Sequence, residues 1–229
     1  MDTEAPGFRY ERKFFISDLT RQQVETIVKM HPAFFSEIYH RRFINNIYFD
    51  TPGLKNYYDN LDGMAQRKKV RIRWYGELFA SIESPLLELK CKYGLMGKKD
   101  SFTIPRFEMG RHFAHSEIAA AIEGDPGFPE TAKAEFKTLV PVLLNRYSRK
   151  YYRSADGNYR ITIDTGMVFY AVGNWGNSFA GRITDNDNIV LELKYDAPWD
   201  DHADEVTTCF PFRLSRSSKY VTGIQKLYG

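Results

Sequence analysis

A chain of 229 residues with 43% hydrophobic and 15% aromatic content has enough apolar surface for a substantial core, which excludes a disordered protein. Its formal charge is only +3, from 32 Lys and Arg against 29 Asp and Glu, too balanced for a wholesale nucleic-acid coat. Any basic site must therefore come from local placement.

Phe8 to Ile16 alternates Arg9, Glu11 and Lys13 against Phe8, Tyr10 and Phe14 and is predicted as a strand. Ser17 to Thr20 offers caps for a helix that stops at His31-Pro32. Phe43 to Asp50 is a second strand, and Leu54 to Leu61 a short tyrosine-rich helix ending at Gly63. Lys69 to Tyr75 is a third, with Lys69, Arg71 and Arg73 on one face and Val70, Ile72 and Trp74 on the other. Leu86 to Tyr93 repeats the pattern, setting Glu88, Lys90 and Lys92 against Leu87, Leu89 and Cys91.

Gly94 to Asp100 reads as a mobile basic loop, and Ser101 to Pro105 as another strand. Two helices are expected next, His112 to Ile122 and Glu130 to Leu144, the second kinked or interrupted at Pro141. Tyr147 to Arg153 and Tyr159 to Asp164 form a hairpin signal around Asp156-Gly157-Asn158. Gly173 to Asn188 reads as a long loop, Ile189 to Tyr195 as a strand, and Arg213 to Tyr220 as a basic, hydroxyl-rich end. The pattern favours one α+β domain, residues 1–229, on a large antiparallel sheet, closed or nearly closed so that the charged faces share an interior.

The first residues are polar and acidic, and no apolar run approaches the ~20 residues that span a bilayer. The expectation is a soluble, cytoplasmic protein. Cys91 and Cys209 make no disulfide framework and have no partner at zinc spacing, so Cys91 reads as a packed thiol.

The charged faces carry the functional signal. They collect Arg9, Glu11, Lys13, Arg71, Arg73, Glu88, Lys90, Lys92, Arg149, Arg160, Thr162, Asp164, Glu192 and Lys194. Cations recur roughly every 6.5–7 Å along a strand, a spacing that repels itself unless anions lie opposite. Around a shared interior such rows suit a chain of phosphates, because Arg donates a planar fork and Lys a compact charge. The few carboxylates suit a hard divalent ion that bridges phosphate oxygens. On any single strand the alternation equally describes a solvated face with cross-strand ion pairs, Glu88 against Arg71 for example.

Weaker signals fall away. His112 and His115 lack a third ligand, and Gly94 to Gly97 with Lys98 lacks P-loop spacing. Tyr57, Tyr58, Tyr147, Tyr151 and Tyr152 read as core and rim rather than base-stacking platforms.

Seven motifs in order carry a family resemblance: Tyr10-Glu-Arg-Lys-Phe14, Ile47-Tyr-Phe-Asp-Thr51, Arg71-Ile-Arg-Trp-Tyr-Gly76, Leu87-Glu-Leu-Lys90, Arg160-Ile-Thr-Ile-Asp164, Leu191-Glu-Leu-Lys-Tyr195 and Ser218-Lys-Tyr-Val221. Together they resemble the vacuolar transporter chaperone (VTC) domain, the polyphosphate polymerase branch of the triphosphate tunnel metalloenzymes, in a free-standing form of bacterial type. The resemblance implies an antiparallel β-barrel forming a closed tunnel with helices outside. It also implies transfer of the ATP γ-phosphate onto a polyphosphate chain with Mn²⁺ or Mg²⁺. ATP or another triphosphate and polyphosphate are then the expected partners, and nucleic acid is not. Hydrolysis of a triphosphate or polyphosphate, or polyphosphate binding without turnover, are the alternatives.

By motif match, Arg71, Arg73, Lys90, Arg149, Arg160 and Lys219 would grip phosphates in the catalytic site. Lys13, Lys92, Lys98, Lys99, Lys194 and Arg216 would bind substrate, and Glu192 with Asp164 the metal. Lys69, at the strand's entrance, is not needed. The first strand reads Arg9-Tyr-Glu-Arg-Lys13, without the first glutamate of the Glu-x-Glu-x-Lys found in the hydrolytic cousins, which favours the polymerase branch.

Overall fold

Alternation of apolar and charged side chains builds long antiparallel strands in the computed structural model, which describes residues 9–93, 96–110, 115–173 and 179–229. Strand β1 (Arg9–Ile16) leads into α1 (Arg21–Lys29). There the Thr20 hydroxyl accepts from the Gln23 amide and the Gln23 side chain accepts from the Thr20 amide, a reciprocal cap. Next come β2 (Ser36–Asp50), α2 (Lys55–Leu61), β3 (Gln66–Tyr75), β4 (Ser81–Ile82), β5 (Leu86–Tyr93), β6 (Met96–Thr103) and β7 (Phe107–Glu108). Helices α3 (His115–Gly124) and α4 (Glu130–Lys137) precede β8 (Val140–Arg153) and β9 (Tyr159–Val172). The chain ends through β10 (Phe179–Asp185), β11 (Ile189–Asp196), α5 (Ala203–Thr208) and α6 (Lys219–Tyr228).

The main sheet runs β1-β11-β9-β8-β2-β3-β5-β6, antiparallel throughout, with β10 also paired to β9. The expected closed barrel is corrected here. Among the described residues β1 and β6 are not hydrogen-bonded to each other, and the sheet stays open. The outer edge of β1 is taken instead by the C-terminal segment: the Ser215 amide donates to the Lys13 carbonyl at 2.8 Å, and Phe14 bridges Leu214. The sheet still curls strongly. Lys90 of β5 reaches Glu11 of β1 at 3.0 Å although five strands lie between them in the order.

Two apolar cores cover the convex face. One joins Val70, Ile72, Trp74 and Leu87 to α3 and α4 through Ile118, Ile122 and Phe136. The other joins Phe14, Ile161, Leu191 and Leu193 to α1 and α5 through Val24, Val28 and Val206. A third core lies on the concave side, where Tyr220 and Ile224 of α6 pack on Tyr48, Leu143, Tyr147 and Phe169. Gly223 makes this approach possible, since a Cβ there would sit 2.6 Å from Leu143 Cδ2 and 2.7 Å from Phe169 Cδ1. Buried Asp50 ties the parts together: it accepts from the amides of Thr51, Asn56 and Tyr57 at 2.7–2.9 Å and from the Tyr220 hydroxyl at 2.5 Å.

Several local expectations change. The basic stretch after Gly94 is strand β6 from Met96 onward, because β5 would otherwise expose an unpaired edge; Gly94 and Leu95 lie outside the described residues. The predicted helix from Glu130 stops at Lys137, and Val140 to Leu144 join β8, where pairing with β2 outweighs the apolar helical stripe. Pro141 then sits near the strand start, where a register shift tolerates its missing N–H. Strand β2 begins at Ser36 rather than Phe43, part of the predicted loop after Gly173 is β10, and the basic end continues into α6. Gly157, with φ 80°, makes the predicted hairpin turn. No helix among the described residues is long and apolar enough to cross a membrane.

Candidate functional site

The concave face gathers charge around a few buried carboxylates. Register pairs Arg71 with Glu88 and Lys69 with Lys90 across β3 and β5. Glu88, 1% exposed, accepts from Arg71 Nε at 2.7 Å and also meets Arg73 at 3.1 Å and Lys99 at 3.3 Å. Burial raises its pKa, but Arg71 and Lys99 outweigh burial and hold it below the usual carboxylate range. One carboxylate thus anchors three cations. Arg73 Nε is buried without a hydrogen-bond partner.

A second node joins β8, β9, β11 and α6. Arg149 grips Asp164 with both prongs, Nε at 2.5 Å and Nη2 at 2.6 Å, and Lys219 reaches the same carboxylate at 2.5 Å. Glu192 sits among Lys194 at 2.9 Å, Lys13 and Arg149 at 3.3 Å, and Lys219 at 3.6 Å. Burial works against the charge on both acids, but Arg149 and Lys219 hold Asp164 low, and Lys194 and Lys13 hold Glu192 well below its ordinary value.

Glu11 closes the ring against Lys90 at 3.0 Å, Lys194 at 3.7 Å and Lys13 at 3.8 Å. Burial and Glu192 raise its pKa, yet the three lysines bring it down to about 2. Lys69 is half-buried and donates to the Ser218 hydroxyl at 2.8 Å. Burial first, then Lys13 and Lys90, push its pKa well below the usual lysine range.

The structure brings Lys13, Arg71, Arg73, Lys90, Arg149, Lys194, Lys219, Asp164 and Glu192 together. Arg160 extends the same face at an exposed end, opposite Lys194 in register. Lys92 stands at the rim opposite Arg67. Lys99, opposite Lys90, faces the group, whereas Lys98 stands opposite Cys91 on the other face, ion-paired with Asp100 at 3.2 Å. Strand alternation separates these two neighbours, which a loop would have left together. Arg216 is exposed, its guanidinium near the Gly63 turn. Three residues given no site role by motif match, Glu11, Glu88 and the Lys69 set aside above, complete the group. Their signal was the alternation itself, since each stands two residues from a predicted cation.

His115 packs against Phe49 and Phe136, both with ring centroids at 5.5 Å; His112 lies outside the described residues. A separate cavity of about 540 Å³, lined by Lys55, Asp59, Lys68, Cys91 and Glu135 among others, lies beside α2 and α4.

The sequence pointed to Asp164 and Glu192 as metal ligands, and the geometry separates them. Asp164 is fully buried, with its two oxygens held tightly by Arg149 and Lys219 at 2.5–2.6 Å. Glu192 is ion-paired through both oxygens as well, but at longer distances of 2.9–3.6 Å, and Glu11 lies beside it as a second carboxylate sharing Lys13 and Lys194. Among the described residues no three of His, Cys, Asp and Glu form a cage. One or two carboxylates suffice where substrate phosphates supply the remaining ligands.

The family model for the VTC domain matches residues 8–228, from the first strand to the last helix. The chain belongs to the VTC domain family. No curated protein matches it. The VTC domain fold is similar to that of a Vibrio parahaemolyticus protein named as a candidate adenylate cyclase, at 12% identity and TM-score 0.53, covering 94% of this chain and 97% of the other. A Pyrococcus horikoshii protein matches with the same identity and TM-score over 95% and 99% of the two chains. A Bacillus halodurans protein, also named as a candidate adenylate cyclase, matches at 14% identity and TM-score 0.50 over 96% and 99%. At these identities the shared feature is the fold.

Proposed function

We propose that this VTC domain transfers the terminal phosphoryl group of ATP to the end of a polyphosphate chain lying along the concave face, across whose open seam Lys90 reaches Glu11. The supporting observation is the charge balance. Among the described residues, Lys13, Arg71, Arg73, Lys90, Lys99, Arg149, Lys194 and Lys219 converge from six strands and a helix on Glu11, Glu88, Asp164 and Glu192. Eight cations against four carboxylates leave an excess that phosphate oxygens would neutralise.

Arg71 and Arg73 would orient the triphosphate through planar forks, and Arg149 and Lys219, preset by Asp164, would meet charge as it develops on the transferring group. A divalent ion, Mn²⁺ or Mg²⁺, would be held by Glu192 with Glu11 and would neutralise phosphate charge when bound. A phosphate nucleophile is already anionic and needs no base, which suits a face where each of these acids is ion-paired.

Hydrolysis is the second reading, and Lys69 is the observation in its favour. Burial, Lys13 and Lys90 lower its pKa, and a lysine shifted in this direction is the kind of group that would assist proton removal from water. Incubation with ATP and Mn²⁺, following long-chain polyphosphate, orthophosphate and ADP, separates the readings. Polymer with ADP is expected; orthophosphate without polymer moves the assignment to hydrolysis. Polyphosphate binding without turnover leaves a binding module. Arg73→Ala should lose about 2–5 kcal/mol of substrate interaction, and wild-type kinetics would place Arg73 outside the site.

A further inference from the structure

Beyond the phosphate-binding residues, the same face carries an aromatic platform at its mouth. In the β2–β8 register Tyr39 stands opposite Tyr151 and Arg42 opposite Arg149, so all four side chains share the concave face. The Tyr39 and Tyr151 rings meet edge to face, centroids 5.7 Å apart and planes at 90°. The Arg42 guanidinium lies 4.6 Å from the Tyr39 centroid and 5.8 Å from that of Tyr151. This order coexists with exposure: Tyr39 is 50% exposed and Tyr151 half-buried. Tyr151 is two residues from Arg149, roughly 6.5–7 Å along β8, and Arg149 is bound into the Asp164–Glu192 node.

Partly exposed rings packed against each other and against a guanidinium plane hold their remaining open π-surface in a fixed orientation. Such faces hold nucleobases, because every base has a π-face and Arg adds a cation–π contribution. We propose that Tyr39, Tyr151 and Arg42 form a nucleobase subsite, stacking the base of a nucleoside triphosphate whose phosphates run inward to Arg149. The inference rests on the nucleoside-triphosphate reading of the inner site and adds which side chains hold the base. Because stacking is tolerant of base identity, the subsite selects for a base without strongly selecting which one.

The test is calorimetric titration of the full chain with ATP and with inorganic tripolyphosphate, in wild type, Tyr151→Leu, Tyr39→Leu and Tyr151→Phe. Loss of a stacking ring should weaken ATP by about 5- to 100-fold. Tripolyphosphate affinity should stay at the wild-type value, which also certifies that each variant is folded. Tyr151→Phe keeps the ring and should keep ATP affinity. Unchanged ATP affinity in both leucine variants overturns the subsite while leaving the phosphate site standing. An equal loss for both ligands also overturns it, since the tyrosine would then act through Arg149. Failure of wild type to bind tripolyphosphate at all would remove the triphosphate reading and the subsite with it.

Discussion

Asp164→Asn separates two roles for the most buried acid of the site. The wild-type carboxylate is 0% exposed and receives Arg149 through two hydrogen bonds of 2.5 and 2.6 Å and Lys219 at 2.5 Å. Asparagine keeps the shape but loses the charge, and its amide nitrogen turns a donor toward cations that are themselves 9% and 8% exposed. Removing one partner of a buried pair costs about 3–5 kcal/mol, mostly from the charges left uncompensated. For a chain of this length that corresponds to a fall in Tm of about 6–20 °C. Urea unfolding should show a lower midpoint with an unchanged slope. Tripolyphosphate supplied at about a hundred times its Kd should return ~2.7 kcal/mol, because it offers the cations an alternative anion. A metal-ligand role for Asp164 predicts the reverse, lost metal-dependent turnover at nearly wild-type stability. A Tm within about 2 °C of wild type would refute the counter-ion argument.

Glu88→Gln releases Arg71, Arg73 and Lys99 from a competing carboxylate and should tighten tripolyphosphate binding roughly tenfold, given about 1.5–3 kcal/mol for a charge-assisted hydrogen bond; unchanged or weaker binding by calorimetry contradicts this. Gly223→Ala places a methyl between Leu143 and Phe169 and should destabilise by about 1–3 kcal/mol, more than the ~1 kcal/mol that alanine adds to helix propensity. A more stable variant in thermal melts would mean that α6 is loosely seated. Lys69 has a folded pKa below 10.5, so between that folded value and 10.5 the empty site releases a proton that a bound polyanion restores. Titrations in buffers of different ionisation enthalpy should then reveal proton uptake that Lys69→Met removes. Glu11, held at about 2 against an ordinary 4.5, contributes stability that is complete above about pH 4.5 and lost as pH falls through about 2. Glu11→Gln should flatten that acid limb, and an unaltered limb would show that its lysine contacts contribute nothing to stability.

Much of the site was legible because alternation with period two is local. Arg71, Arg73, Lys90 and Glu192 lie on charged faces wherever their strands sit, and their apolar neighbours dictate which face is buried in the convex cores. Where an element itself was misread, the site changed with it: reading Met96 to Asp100 as a loop kept Lys98 beside Lys99, and strand pairing sends them to opposite faces.

What the sequence determined by itself was the charged faces and the order of motifs that places the chain in the VTC domain family. Only the tertiary structure decided which charges meet. Lys90 finds Glu11 because the sheet curls, Lys219 finds Asp164 because Gly223 lets α6 settle into the concavity, and β1 stays unjoined to β6 because the C-terminal segment takes its edge. The physical reason is separation along the chain. Side-chain direction follows from the nearest two peptide units, whereas register, curvature and the capping of edges depend on partners scores of residues away.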